Sequence, residues 1–155
     1  MKRRVLFVCL GNICRSPLAE AVFRLEAERA GLDVDVDSAG TGGWHVGEPP
    51  DWRAQALAKR HGLDVGDLRA RQVSPEDFRR FDLILAMDRQ NFAELHRMRP
   101  DAGHAELTLL LDHVPGREGQ SVADPYYGGE AHFDVTWADV SAGARALANK
   151  LAEVP

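Results

Sequence analysis

The segment that most restricts the fold runs from Val5 to Pro17. An unbroken apolar run, Val5-Leu6-Phe7-Val8-Cys9, is followed by Gly11-Asn12 and then by Ser16-Pro17. A short run that is apolar at every position suits a strand covered on both faces, as in parallel sheets; a half-exposed strand would alternate. Gly and Asn break such a run. Ser-Pro then opens a helix, because Ser is a favoured N-cap and proline's missing N–H has no intrahelical partner in the first turn. Leu18, Ala21, Val22 and Leu25 continue at helical spacing, and Gly31 stands where a C-cap belongs.

The same alternation of periods recurs downstream. Val34, Val36 and Ser38 read as a second strand, leading into a loop from Gly40 to Pro50. A helix is expected from about Asp51 to His61, ended by Gly62, and a short one after Ser74-Pro75. Leu83 to Met87 reads as a third strand, followed by a helix to about Met98, and Leu107 to Leu111 as a fourth. The stretch from Asp112 to Gly129, rich in Gly, Pro and Asp, reads as a long loop, and a final helix covers roughly Thr136 to Leu151. Strands alternating with helices imply an α/β sandwich with a mostly parallel sheet, in which ligands sit at the carboxyl ends of strands. Cys9 lies at such an end.

Cys9-Leu10-Gly11-Asn12-Ile13-Cys14-Arg15-Ser16 therefore joins a strand to a helix N-terminus, with five residues between Cys9 and Arg15. A loop of that span lets its backbone N–H groups curl toward one point, a nest that binds an anion such as phosphate with the helix dipole behind it. Gly11 is expected to supply the unusual dihedrals and close approach of a tight loop. Amide donors and a guanidinium favour the thiolate of Cys9, the reactive form. Arg15 offers a planar fork for two phosphoryl oxygens, and Ser16 a hydroxyl for the sulfur. Alone, Cys9 would read as a small core residue and Arg15 as a surface charge. Together at a strand-to-helix turn they read as a phosphate-type site. A Walker-type loop is excluded by the absence of a Lys here, and structural zinc by the absence of Cys-x-x-Cys or paired-His spacing.

The rest of the composition bounds the class. One domain over residues 1–155 is expected, with 45% hydrophobic and 28% charged residues. Nineteen basic against 24 acidic residues give a net charge of −5, which argues against a nucleic-acid binder and requires any phosphate site to be made locally. Two neighbouring cysteines do not make a secreted disulfide scaffold. The apolar run after Met1-Lys2-Arg3-Arg4 is too short for a signal peptide, and no stretch approaches a membrane span, so a cytoplasmic protein is expected.

Three segments resemble the low-molecular-weight protein tyrosine phosphatases: Val8 to Pro17, Asp37-Ser38-Ala39-Gly40-Thr41, and Asp124-Pro125-Tyr126-Tyr127-Gly128. They fall in the family's order and span nearly the whole chain. The resemblance implies a three-layer sandwich around a four-stranded parallel sheet, with no metal and no cofactor. It implies phosphotyrosine-containing proteins as substrates, inorganic phosphate as product and competing ligand, no nucleic-acid or membrane partner, and a monomer. It implies attack by Cys9, a phosphate clamp by Arg15, and a loop completed by Leu10, Gly11, Asn12, Ile13, Cys14 and Ser16. Nothing in the sequence alone picks one acid among 24 as proton donor; the resemblance picks Asp124. It further implies a pocket walled by Trp44, Tyr126 and Tyr127, Asn12 as the residue that orients the loop, and a supporting network of Ser38 and His61. At a helix end, His61 reads equally as a partner of the helix dipole. Cys14 is implied as redox partner of the nucleophile, and otherwise reads as structural. Rival readings are an arsenate reductase, which would need further cysteines for a disulfide cascade, a phosphoprotein-binding module, and a Cys9–Cys14 redox protein in which Arg15 and Asp124 have no role.

Overall fold

Residues Val5 to Cys9 are buried throughout because helices cover both faces of their sheet. The structure, a computed structural model, describes residues 2–153. Four strands, β1 (Arg3–Cys9), β2 (Val34–Gly40), β3 (Leu83–Ala86) and β4 (Glu106–Leu109), form one parallel sheet in the order β2-β1-β3-β4. The helices are α1 (Arg15–Arg29), α2 (Trp52–Arg60), α3 (Asp77–Arg80), α4 (Arg89–Met98) and α5 (Glu130–Ala152).

Strand pleating sends alternate residues of β1 into two separate cores. Val5, Phe7 and Cys9 pack with Leu18, Val22 and Phe23 of α1, Leu57 of α2, and Val140 and Leu147 of α5. Leu6 and Val8 pack on the other side with Phe78 of α3 and Leu95 of α4. β3 divides in the same way, Leu83 and Leu85 to the first core, Ile84 and Ala86 to the second. The result is the three-layer α/β sandwich with a four-stranded parallel sheet.

The glycine stops act as expected. Gly31 takes φ +69°, with Leu32 N–H bonded to Ala27 O and Gly31 N–H to Glu28 O, and Gly62 closes α2 in the same manner at φ +81°. Both are Schellman ends, where a side chain would be strained.

Three boundaries differ from the sequence expectation. α1 begins at Arg15 with Cys14 as N-cap and no side-chain cap bond, so Ser16 lies inside the helix and its hydroxyl is used elsewhere. β4 ends at Leu109, and Leu110–His113 form a single 3-10 turn. α5 starts at Glu130, well before Thr136: no side-chain cap marks the start, which is set by burial of Phe133 in the core. Among the described residues, no helix is long and apolar enough to cross a membrane.

Candidate active site

β1 lies between β2 and β3, the point at which the chain changes direction across the sheet and where α/β folds open a crevice. Its register sets Cys9 beside Gly40 and Val8 beside Ala86. The loop leaving β1 therefore meets segments leaving both neighbours. Gly40 permits the closest approach: a Cβ there would stand 2.8 Å from the Leu10 carbonyl oxygen. Thr41 N–H bonds Cys9 O, Gly42 N–H bonds Leu10 O, and Asp51 N–H at the head of α2 bonds Ile13 O. Among the described residues, the N–H groups of Gly11, Asn12, Ile13 and Cys14 reach no backbone acceptor, leaving them free for an anion.

The left-handed residue of the loop is Asn12, at φ 58°, and not Gly11, which stays outside the positive-φ region. Asn tolerates that conformation, and here its side chain holds it. Asn12 Oδ1 accepts from Arg71 N–H at 3.0 Å, which fixes the orientation of the amide. Its Nδ2 then donates to Ser16 Oγ at 2.8 Å and to Ser38 Oγ at 3.0 Å. The Ser38 hydroxyl in turn donates to Glu20 Oε1 at 2.6 Å. With Ser16 Oγ already an acceptor, its proton is available to Cys9 Sγ at 3.0 Å, shorter than the 3.5 Å path to Ala39 O. The network thus sets the Ser16 hydroxyl beside the sulfur, where it can donate to a thiolate.

Arg15 is fully buried, and its partners come from far along the chain. Nη1 donates to Asp88 Oδ2 at 2.7 Å and to Val122 O at 2.9 Å, while Nη2 faces Asp124 Oδ2 at 3.4 Å. Burial would lower its pKa, but Cys9, the Asp88 hydrogen bond and Asp124 together hold it above the ordinary arginine value. The guanidinium is a permanent cation beneath the loop. Asp124 is steadied by Tyr126 N–H at 3.1 Å. Both cysteines are free and buried. Burial, with Asp51, Cys9 and Asp124 nearby, pushes the Cys14 thiol far above its usual range, so it stays neutral.

Cys9, Leu10, Gly11, Ile13, Cys14 and Arg15 line a cavity of about 320 Å³, walled by Trp44, His45, Asp124, Tyr126 and Tyr127. The sequence-derived residues of loop and wall meet there, with Asn12, Ser16 and Ser38 behind the loop. His61 does not join them. It ends α2 with its ring stacked 4.1 Å from that of Trp137, and the partners of Ser38 are Asn12 and Glu20. Sequence reasoning missed His45, Asp88, Glu20 and Arg71. His45 lies one residue after Trp44, and its position in that loop was the one available signal.

A parallel α/β sandwich with a Cys-x5-Arg loop at a helix head, an acid and an aromatic wall around one cavity defines a phosphatase of the protein-tyrosine type. The family model described as low molecular weight phosphotyrosine protein phosphatase matches residues 4–154. This chain belongs to that family. The Schizosaccharomyces pombe low molecular weight phosphotyrosine protein phosphatase is 47% identical over 133 residues, 84% of this chain and 85% of its own. A protein tyrosine phosphatase from Entamoeba histolytica, solved with Hepes in the active site, superposes with a TM-score of 0.90 at 38% identity, covering 96% of each chain. A Drosophila arginine phosphatase gives 0.91 at 34% identity, covering 97% of this chain and 99% of its own.

Proposed function

We propose that this tyrosine phosphatase acts on phosphotyrosine in proteins, and on small aryl phosphates, through a cysteinyl-phosphate at Cys9. The observation that carries the reading is the hydrogen-bonded chain Asn12, Ser16, Cys9, which holds a hydroxyl 3.0 Å from the sulfur beside a buried arginine. Phosphoryl oxygens take the free loop N–H groups and the guanidinium of Arg15, displacing its contact with Asp124. The Cys9 thiolate attacks phosphorus as the aryl P–O bond breaks, and Asp124 gives its proton to the departing phenolate. Asp124 then takes a proton from water, whose oxygen displaces sulfur from phosphorus. The Ser16 hydroxyl stabilises the leaving thiolate, and inorganic phosphate departs. Trp44 and Tyr126 supply flat faces for the substrate ring. The enzyme works as a cytoplasmic monomer in this reading.

Hydrolysis of para-nitrophenyl phosphate, with a chelator present, tests the mechanism. The native enzyme is expected to turn over, Cys9→Ser to fall to background, and Asp124→Asn to lose about 10²–10⁴-fold in kcat. Acid quenching during native turnover is expected to trap phosphate on Cys9, located by peptide mass spectrometry. Turnover surviving in Cys9→Ser, or lost from the native enzyme with chelator, rejects it. Phosphotyrosine, phosphoserine and phosphoarginine compared side by side fix the substrate class, with phosphotyrosine expected to lead.

A further inference from the structure

A second groove opens directly behind the wall of the catalytic cavity. It holds about 260 Å³, against about 320 Å³ in the cavity, and is lined by Trp52, Arg53, Ala56, Arg60, Glu130 and Phe133. The segment from Tyr126 to Gly129 stands between the two. Arg53 ties groove to wall: its Nη2 donates to Tyr126 O at 2.9 Å and its Nη1 to Gly128 O at 3.4 Å. The same guanidinium lies 5.5 Å from the Tyr126 ring and 4.8 Å from that of Phe133. A chain whose phosphotyrosine entered the cavity would cross a single loop to reach the groove.

The surface along that path is apolar beyond what a chain of net charge −5 leads one to expect. Trp44 is 72% exposed, Trp52 75% and Tyr127 97%, and all three stand at the rims of the cavity or the groove. Exposed aromatics grouped at a binding mouth mark contact with a partner. The cations at the groove are already neutralised. Arg60 pairs with Glu130 at 2.8 Å and Asp134 at 3.5 Å, and Arg53 with Asp51 at 3.0 Å. An acidic side chain would have to compete with Glu130, Asp134 and Asp51 for them. The indole of Trp52, the Ala56 methyl and the buried Phe133 ring suit a large apolar one.

We infer that this groove is a subsite for a large apolar side chain of the substrate, a few residues from the phosphotyrosine. The inference rests on the phosphotyrosyl-protein reading above. It names a substrate class: phosphotyrosyl segments carrying a Leu, Met or Phe near the modified residue.

The test is a scan of phosphotyrosyl peptides on a glycine-serine background, with a single Phe or Leu moved from four residues before to four after the phosphotyrosine. The readout is kcat/KM for each peptide relative to para-nitrophenyl phosphate. One or two adjacent positions are expected to raise that ratio about tenfold. Trp52→Ala is expected to flatten the scan, and Ala56→Glu, which sets a charge on an exposed position of the groove, to do the same. A flat native scan with brisk peptide turnover overturns the subsite and leaves the substrate reading standing. A preference unchanged in both variants also overturns it. If no phosphotyrosyl peptide turns over while para-nitrophenyl phosphate does, both inferences fall. A concentration-dependent dimer, seen by sedimentation and abolished by Trp52→Ala, would assign the groove to a second copy of the chain and overturn the peptide subsite.

Discussion

At the scale of single residues, Asn12 does the most. It adopts a left-handed conformation, donates to two serines and accepts from the Arg71 amide. Replacing it separates two costs. In Asn12→Ala the three hydrogen bonds vanish, the part-buried Arg71 N–H loses its partner, and a Cβ remains at positive φ. A destabilisation of about 3–5 kcal/mol is expected. Asn12→Gly loses the same bonds without the steric cost, and is expected to be about 1 kcal/mol less destabilised. Both should lower kcat, because Ser16 loses the donor that turns its proton toward Cys9. Urea unfolding and aryl phosphate kinetics on both variants check this; equal stability would mean that the φ of Asn12 carries no strain. The loop itself was legible in sequence, since Cys9, Arg15 and Ser16 lie within one short segment. The wrong residue was given the special dihedral, because Gly is the usual owner of positive φ and Asn12 holds it only through Arg71, Ser38 and Ser16. Asp88 and Glu20 were illegible for a related reason: each is an ordinary acid until folding sets it beside Arg15 or Ser38.

At the scale of elements, starts and stops with local chemistry were readable and those set by packing were not. Gly31 and Gly62 marked helix ends because only the backbone dihedral decides there. The start of α5 and the 3-10 turn after β4 depend on what the long loop and the sheet edge pack against. That turn carries a titratable contact of its own. His113 Nε2 lies 2.9 Å from Thr108 Oγ1 on β4, and its Nδ1 3.0 Å from Lys150 Nζ on α5. An ammonium only donates, so Nδ1 accepts, Nε2 carries the proton and the ring is neutral. Burial first, and then Lys150, hold the His113 pKa below its ordinary value, with Asp112 and Glu106 opposing. As pH falls below about 6.5, the unfolded chain takes up a proton that the folded ring refuses, so stability is lost toward the lowered folded value. Stability measured in urea is expected to fall between pH 7.5 and 5, and to fall less in His113→Gln and in Lys150→Met. An identical fall in all three proteins would remove His113 as its source.

At the scale of the whole molecule, the site is a junction rather than an insert. The loop after β1 is held by Thr41 and Gly42 beyond β2, by Arg71, by Asp51 at the head of α2, by Asp88 after β3 and by Val122 in the long loop. None of these contacts survives unfolding, so an anion bound at the loop binds the folded chain alone. The net charge of −5 gives no general attraction for anions, which leaves the loop amides and Arg15 to supply it locally. Inorganic phosphate at a hundred times its dissociation constant should therefore add about 2.7 kcal/mol to the unfolding free energy. Cys9→Ser should keep that gain, since a hydroxyl in place of the thiol leaves the amides and Arg15 in place. Arg15→Met should lose it, even though its buried methylenes still fill the space beneath the loop. The measurement is urea unfolding in phosphate against chloride at matched ionic strength. An equal gain in Arg15→Met would show phosphate acting through solvent exclusion on the whole surface. A gain confined to proteins that retain Arg15 would show the product of the reaction tightening the junction on which the fold and the chemistry both depend.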